Sequence, residues 1–141
     1  MTNQDDFQIV DAWINYSKFH IRITKAINHV LMEHYHVGLT DFYFLYYLGE
    51  SPENELQQSE LQTLTQLSPS ALSRMVSRLK EYKGVTILEK KPLPQDKRGY
   101  TIKLTESGKK LLKELITTLE TNLNASLSKD DITHIYSLST D

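Results

Sequence analysis

The stretch LSPSALSRMVSRLKEYKG, residues 67–84, decides the fold. Ser68 is placed to cap a helix, and Pro69 falls at the first helical position, where a missing N–H costs nothing. Leu72, Met75, Val76 and Leu79 recur at the spacing of one helical face. The opposite face carries Ser70, Ser73, Arg74, Ser77 and Arg78. Small hydroxyl residues let a helix lie deep in a groove, and arginine can bond guanine through two N–H groups or clamp a phosphate. The first turn, Ser68 to Ser70, also leaves N–H groups free for a phosphate. An ordinary solvent-facing helix would use the same residue types, so the neighbours on either side decide the reading.

On the N-terminal side, Gln58 to Thr65 reads as a short helix with Leu61 and Leu64 as core contacts, and Thr65 to Leu67 as a tight turn. Helix, turn and capped helix make a helix-turn-helix. On the C-terminal side, Gly84 lies where a glycine would end the second helix. The period then changes, and Val85–Lys91 and Tyr100–Leu104 read as two strands. The loop between them, PLPQDKRG at residues 92–99, combines turn residues with charge. Such a hairpin can reach a neighbouring minor groove, and Arg98 is the candidate for insertion there. Asp96 is expected to hold Arg98 or Arg78 in place rather than touch nucleic acid. It also serves as a turn-former. Lys90, Lys91, Gln95 and Lys97 complete the expected contact set, with Ser68 from the helix cap.

The remaining chain reads as helices. Asp6 to about Tyr35 supplies apolar spacings of three, four and seven, with more apolar surface than one narrow stripe. Gly38 ends it and Thr40 can cap the next helix, Asp41 to Leu48, which is crowded with aromatics. Gly49, Ser51 and Pro52 stop that helix. Thr105 caps a further helix with Leu111, Leu112, Leu115, Leu119 and Leu123 on its apolar side. Ser128 and Asp131 resemble a capping box before a final short helix carrying Ile132, Ile135, Tyr136 and Leu138. The expected class is mainly α with a small β-hairpin. It forms one domain over 1–141, with a winged helix-turn-helix core at 40–104 between flanking helices at 6–36 and 106–141.

Bulk properties agree. The 141 residues and 39% apolar content suit one compact core. No apolar run is long enough to span a bilayer, and MTNQDDFQIV lacks a secretory pattern, so a cytoplasmic protein with no membrane partner is expected. The absence of cysteine removes disulfides, thiolate zinc sites and thiol redox sensing. The net charge is −2, but Arg74 to Lys113 holds twelve basic and four acidic residues, so that segment is +8 and the remainder −10. A basic stretch inside an acidic chain is the electrostatic footprint of a polyanion-binding surface.

Residues 56–84 followed by 87–111 resemble the DNA-binding core of the multiple antibiotic resistance regulator (MarR) family. The resemblance lies in P-S-x-x-S/T-R-x-x-x-x-L at Pro69–Leu79, D-x-R at Asp96–Arg98 and L-T-x-x-G at Leu104–Gly108, with Leu39-Thr40 also fitting. It implies a triangular homodimer built from N- and C-terminal helices, two recognition helices on a pseudo-palindromic double-stranded DNA operator, and repression relieved in many members by a small ligand. Three departures stand out. The segment leading into the hairpin, Gly84–Leu88, is two residues longer than usual. Lys90 or Lys91 stands where arginine is common, and the last helix, stopping at Asp141, is short.

Trp13, Tyr16, His20, Phe42, Tyr43 and Tyr46 are expected either to line a pocket for a lipophilic or phenolic effector or simply to pack in the core and dimer interface. His29, Glu33, His34 and His36 form a candidate metal cluster, with His29 and Glu33 at i, i+4. Zinc-sensing relatives also use histidines after the wing, where this chain has Lys109, Lys110 and Lys113, so no metal and no cofactor are expected. A metal-responsive regulator and a protein-binding winged-helix adaptor are the alternatives of the same fold. No phosphate loop, nucleophile elbow or positioned carboxylate pair points to an enzyme.

Overall fold

In the computed structural model, residues 8–95 and 99–139 are described. Helix α1 runs Gln8–Tyr35 and α2 Leu39–Glu50. Strand β1, Glu55–Gln57, follows a turn at Pro52–Asn54. Helices α3, Gln58–Thr65, and α4, Pro69–Leu79, come next. Strands β2, Glu81–Tyr82, β3, Val85–Thr86, β4, Leu88–Pro92, and β5, Tyr100–Leu104, lead to α5, Glu106–Ser126, and α6, Lys129–Leu138.

The core gathers one face from each central element. Leu31 of α1, Phe44, Leu45 and Leu48 of α2, Leu61 of α3, Leu72 of α4, Ile102 of β5 and Leu115 of α5 lose all their solvent contact. Helix α4 buries the predicted stripe of Leu72, Met75, Val76 and Leu79. At roughly 1.5–3 kcal/mol per fully buried aliphatic side chain, that stripe holds α4 in place far more firmly than helix propensity could. The wing is antiparallel: Leu88 faces Leu104, Lys90 faces Ile102 and Pro92 faces Tyr100.

Several sequence expectations need correction. Gly38, not Thr40, caps α2. Its N–H donates to the Asp41 carboxylate at 3.1 Å, while Thr40 lies inside the helix. Gly49 also lies inside α2, in close contact with Leu112, so it does not stop the helix. Leu64 is 44% exposed and is not a core contact. Gly84 does not end α4, whose C-cap is Lys80. It is instead the second turn residue of the β2–β3 hairpin, in which Lys83 and Gly84 both take positive φ (51° and 82°). Two such residues are what a tight primed turn demands. The long approach to the wing is thereby folded into a small hairpin, and the single expected strand divides at Ile87. Strand β1 was not anticipated. It pairs with the edge of β5 to give the order β1-β5-β4.

The Leu104–Gly108 motif has a clear physical basis. The Thr105 hydroxyl accepts from the Gly108 N–H at 3.0 Å and donates to the Thr86 carbonyl at 2.8 Å. A Cβ on Gly108 would stand 2.3 Å from the Ile87 carbonyl oxygen, so only glycine lets α5 start this close to the wing.

Candidate nucleic-acid interface

Helix α3, a turn at Gln66–Ser68 and helix α4 form the helix-turn-helix. Gln66 reverses the chain in a left-handed conformation, φ 62°, with its N–H on the Gln62 carbonyl. Ser68 caps α4 as expected, its hydroxyl accepting from the Ala71 N–H at 3.1 Å. Ser68, Ser70, Ser73, Arg74, Ser77 and Arg78 are all exposed. Ser70, Ser73, Arg74 and Ser77 follow i, i+3, i+4, i+7, so they share one face opposite the buried stripe.

The two arginines differ. Arg74 has no polar partner among the described residues. Arg78 sends both terminal nitrogens to Asp41 of α2, Nη1 to Oδ2 at 2.9 Å and Nη2 to Oδ1 at 2.6 Å. That hydrogen bond is the main reason the Arg78 guanidinium holds its proton more tightly than usual. Asp41 thus holds Arg78, a partner that the sequence does not suggest. Asp96, Lys97 and Arg98 lie outside the described residues.

On the wing, Lys90, Lys91 and Gln95 are exposed. Strand alternation sends the two lysines to opposite faces. The Lys90 ammonium sits 4.2 Å from the centre of the Tyr100 ring, a cation–π contact on the core-facing side. Burial pushes the Tyr100 hydroxyl pKa up, and that hydroxyl has no hydrogen-bond partner among the described residues. Lys91 stands opposite Thr101 on the other face.

The six residues expected to line an effector pocket do not converge within one chain. Trp13, Tyr16 and His20 form an exposed ladder along α1, with ring centroids 5.7 and 6.0 Å apart. Phe42 lies near Tyr43 and Tyr46 on α2, the rings tilted and their centroids 6.3 and 6.1 Å apart. Trp13 lies 22 residues before the end of α1, about 33 Å of helix from the corner where α2 begins.

The candidate metal cluster is not assembled either. His29 and Glu33 pair with each other at 2.7 Å on an exposed face. The His34 ring meets the Val30 carbonyl of its own helix at 3.0 Å. No group of three or more metal-ligating side chains converges among the described residues. No helix among those residues is long and apolar enough to cross a membrane.

These elements define a winged helix-turn-helix flanked by helices. The fold is similar to that of several solved MarR-family transcriptional regulators. Sco3205, a MarR family regulator of Streptomyces coelicolor in complex with DNA, matches with TM-score 0.69 and 20% identity over 98% of this chain and 86% of its own. A mutant E. coli MarR complexed with operator DNA matches with TM-score 0.66 and 23% identity, covering 94% and 93%. The transcriptional regulator BldR of Sulfolobus solfataricus matches with TM-score 0.70 and 19% identity, covering 98% and 95%. No family model matches the chain, and no curated protein does.

Proposed function

We propose that this chain is a MarR-family transcription regulator that binds double-stranded DNA as a homodimer. The observation that carries the reading is the α4 face. A serine-capped helix, anchored by a buried apolar stripe, presents Ser70, Ser73, Arg74 and Ser77 to solvent. In this reading α4 enters the major groove, its first turn meets phosphate, and the wing with Arg98 reaches the adjacent minor groove. Lys91, Gln95 and Lys97 supply phosphate contacts, while Lys90 stays over the Tyr100 ring. A regulator of this kind works in the cytoplasm, where the DNA is.

The homodimer is supported by apolar surface left uncovered at both ends of the chain. Ile9, Val10, Trp13 and Ile14 of α1 are exposed, Ile9 by 86% and Trp13 by 62%, as are Tyr136 and Leu138 of α6. That much exposed apolar surface on two helices suits a second copy. Two α4 helices would then meet successive major grooves about 34 Å apart on a pseudo-palindrome. Such a dimer represses by occupying the promoter. A small lipophilic or phenolic molecule bound against the half-exposed aromatic surface of Phe42, Tyr43 and Tyr46 would release it.

The test is a gel-shift titration at two salt concentrations. A DNA-binding dimer loses affinity steeply as salt rises. A protein-binding adaptor retards no duplex at either concentration, and that result would overturn the proposal.

A further inference from the structure

Arg78 lies on the same side of α4 as Arg74, yet its guanidinium is engaged within the chain. Both terminal nitrogens hold Asp41, whose carboxylate is buried while the arginine is half-exposed. Asp41 is itself committed, since its Oδ2 also accepts the Gly38 N–H that opens α2. The neighbouring Leu39 N–H is held by the Asn28 side chain of α1 at 2.9 Å. The corner between α1 and α2 is thus fixed by side chains, and Arg78 bolts the recognition helix onto it.

A second tie reaches the same corner. The Tyr82 hydroxyl, just beyond α4, donates to the Tyr35 carbonyl at 2.8 Å. The Tyr35 hydroxyl in turn meets Thr118 Oγ1 of α5 at 2.7 Å. The C-terminal end of the recognition helix is therefore joined by two polar links to a corner that is anchored on α5.

We infer that Arg78 is a positioning residue rather than a DNA contact, and that the Asp41–Arg78 pair sets the angle at which α4 meets the duplex. The pair carries no net charge, so it displaces no counterion from DNA, and the end-on fork that could read guanine is occupied. Base and phosphate recognition from this face then falls to Arg74 and the serines. The inference rests on the DNA-binding reading above and assigns a part within it.

The test uses the full chain and a duplex enriched from a random-sequence pool by the wild-type protein, titrated by fluorescence anisotropy across a salt series. Asp41→Asn and Arg78→Gln are each expected to weaken binding roughly tenfold, as loss of a charge-assisted pair would. The double variant is expected to bind no worse than either single one. All three should keep the wild-type salt dependence. Arg78→Lys should fail as Arg78→Gln does, because an ammonium cannot replace the fork. A direct contact predicts the reverse. Asp41→Asn would free the arginine and leave affinity equal or higher, Arg78→Gln would reduce the salt slope by about one, and Arg78→Lys would retain most binding. That pattern overturns the inference while leaving DNA binding intact. If Asp41→Asn proves unfolded by circular dichroism, the slope and the Arg78→Lys result decide alone. A wild-type chain that enriches no duplex overturns the DNA-binding reading itself, and the inference with it.

Discussion

Arg22 of α1 grips Asp131 of α6 through both terminal nitrogens, at 2.6 and 3.0 Å, across 109 residues of sequence. The Asp131 backbone N–H also donates to the Ser128 hydroxyl, which caps α6, at 3.0 Å. One turn on, His134 meets the Phe19 ring edge-on at 4.4 Å. No residue of α6 is fully buried, so these polar and ring contacts fasten it to α1 within one subunit. They fix the relative placement of the two helices that carry the exposed apolar surface.

This latch is expected to weaken in acid. The hydrogen bond from Arg22 holds the Asp131 carboxyl below the usual carboxylate range. A carboxylate with a depressed folded-state pKa contributes stability above its unfolded pKa and loses it as pH falls through the folded value. The protection factors of α6 amides, taken against the intrinsic exchange rate at each pH, should therefore be high near neutrality and fall below about pH 4, the unfolded aspartate value. Asp131→Asn should show low α6 protection factors at both pH values. An α6 whose protection is indifferent to both changes would show that the pair does not hold it.

Ser68→Ala removes the α4 cap. The expected loss is about 1 kcal/mol of folding stability, measured by urea denaturation, with weaker DNA binding because the first turn frays. Unchanged stability would mean that the Ser68–Ala71 bond contributes nothing to the fold.

Gly108→Ala places a methyl 2.3 Å from the Ile87 carbonyl oxygen, where backbone must move to make room. A destabilisation of roughly 1–3 kcal/mol is expected by analogy with overpacking. Gly84→Ala meets no atom within 4 Å, and only its φ of 82° is strained, so about 1 kcal/mol is expected. Urea midpoints for the two variants should fall in that order, and the reverse order would contradict the packing account.

Trp13→Asp puts a charge at the N-terminal end of the exposed α1 ladder, beside Ile9, Val10 and Ile14. Sedimentation should show the wild type as a dimer and the variant as a folded monomer with much weaker operator binding. A variant that stays dimeric would move the subunit interface away from α1.

The fold was legible where local chemistry repeats or caps. Ser68, Pro69 and the Leu72–Leu79 stripe announce α4, and Leu104–Gly108 announces the start of α5. What stayed hidden depends on distant partners. Strand β1 is three residues long and exists because Lys103, Ile102 and Thr101 pair with it. The Lys83–Gly84 turn lacks the usual asparagine or aspartate before glycine, so a helix end read equally well. The six exposed residues of α4 were visible from helical period alone. The commitment of Arg78 was not, because Asp41 lies 37 residues away and no spacing rule joins them. Shared aromatic character suggests one cluster, yet helix length separates Trp13 from Phe42.

The most direct test of the central claim is methylation interference on a bound duplex, comparing the wild type with Arg74→Ala. Dimethyl sulfate marks guanine N7 in the major groove and adenine N3 in the minor groove. Two clusters of guanine interference about one helical turn apart are expected, with one guanine in each cluster losing its effect in the Arg74→Ala variant. Interference confined to adenines, or an identical pattern for both proteins, would contradict the assignment of α4 as the base-reading element.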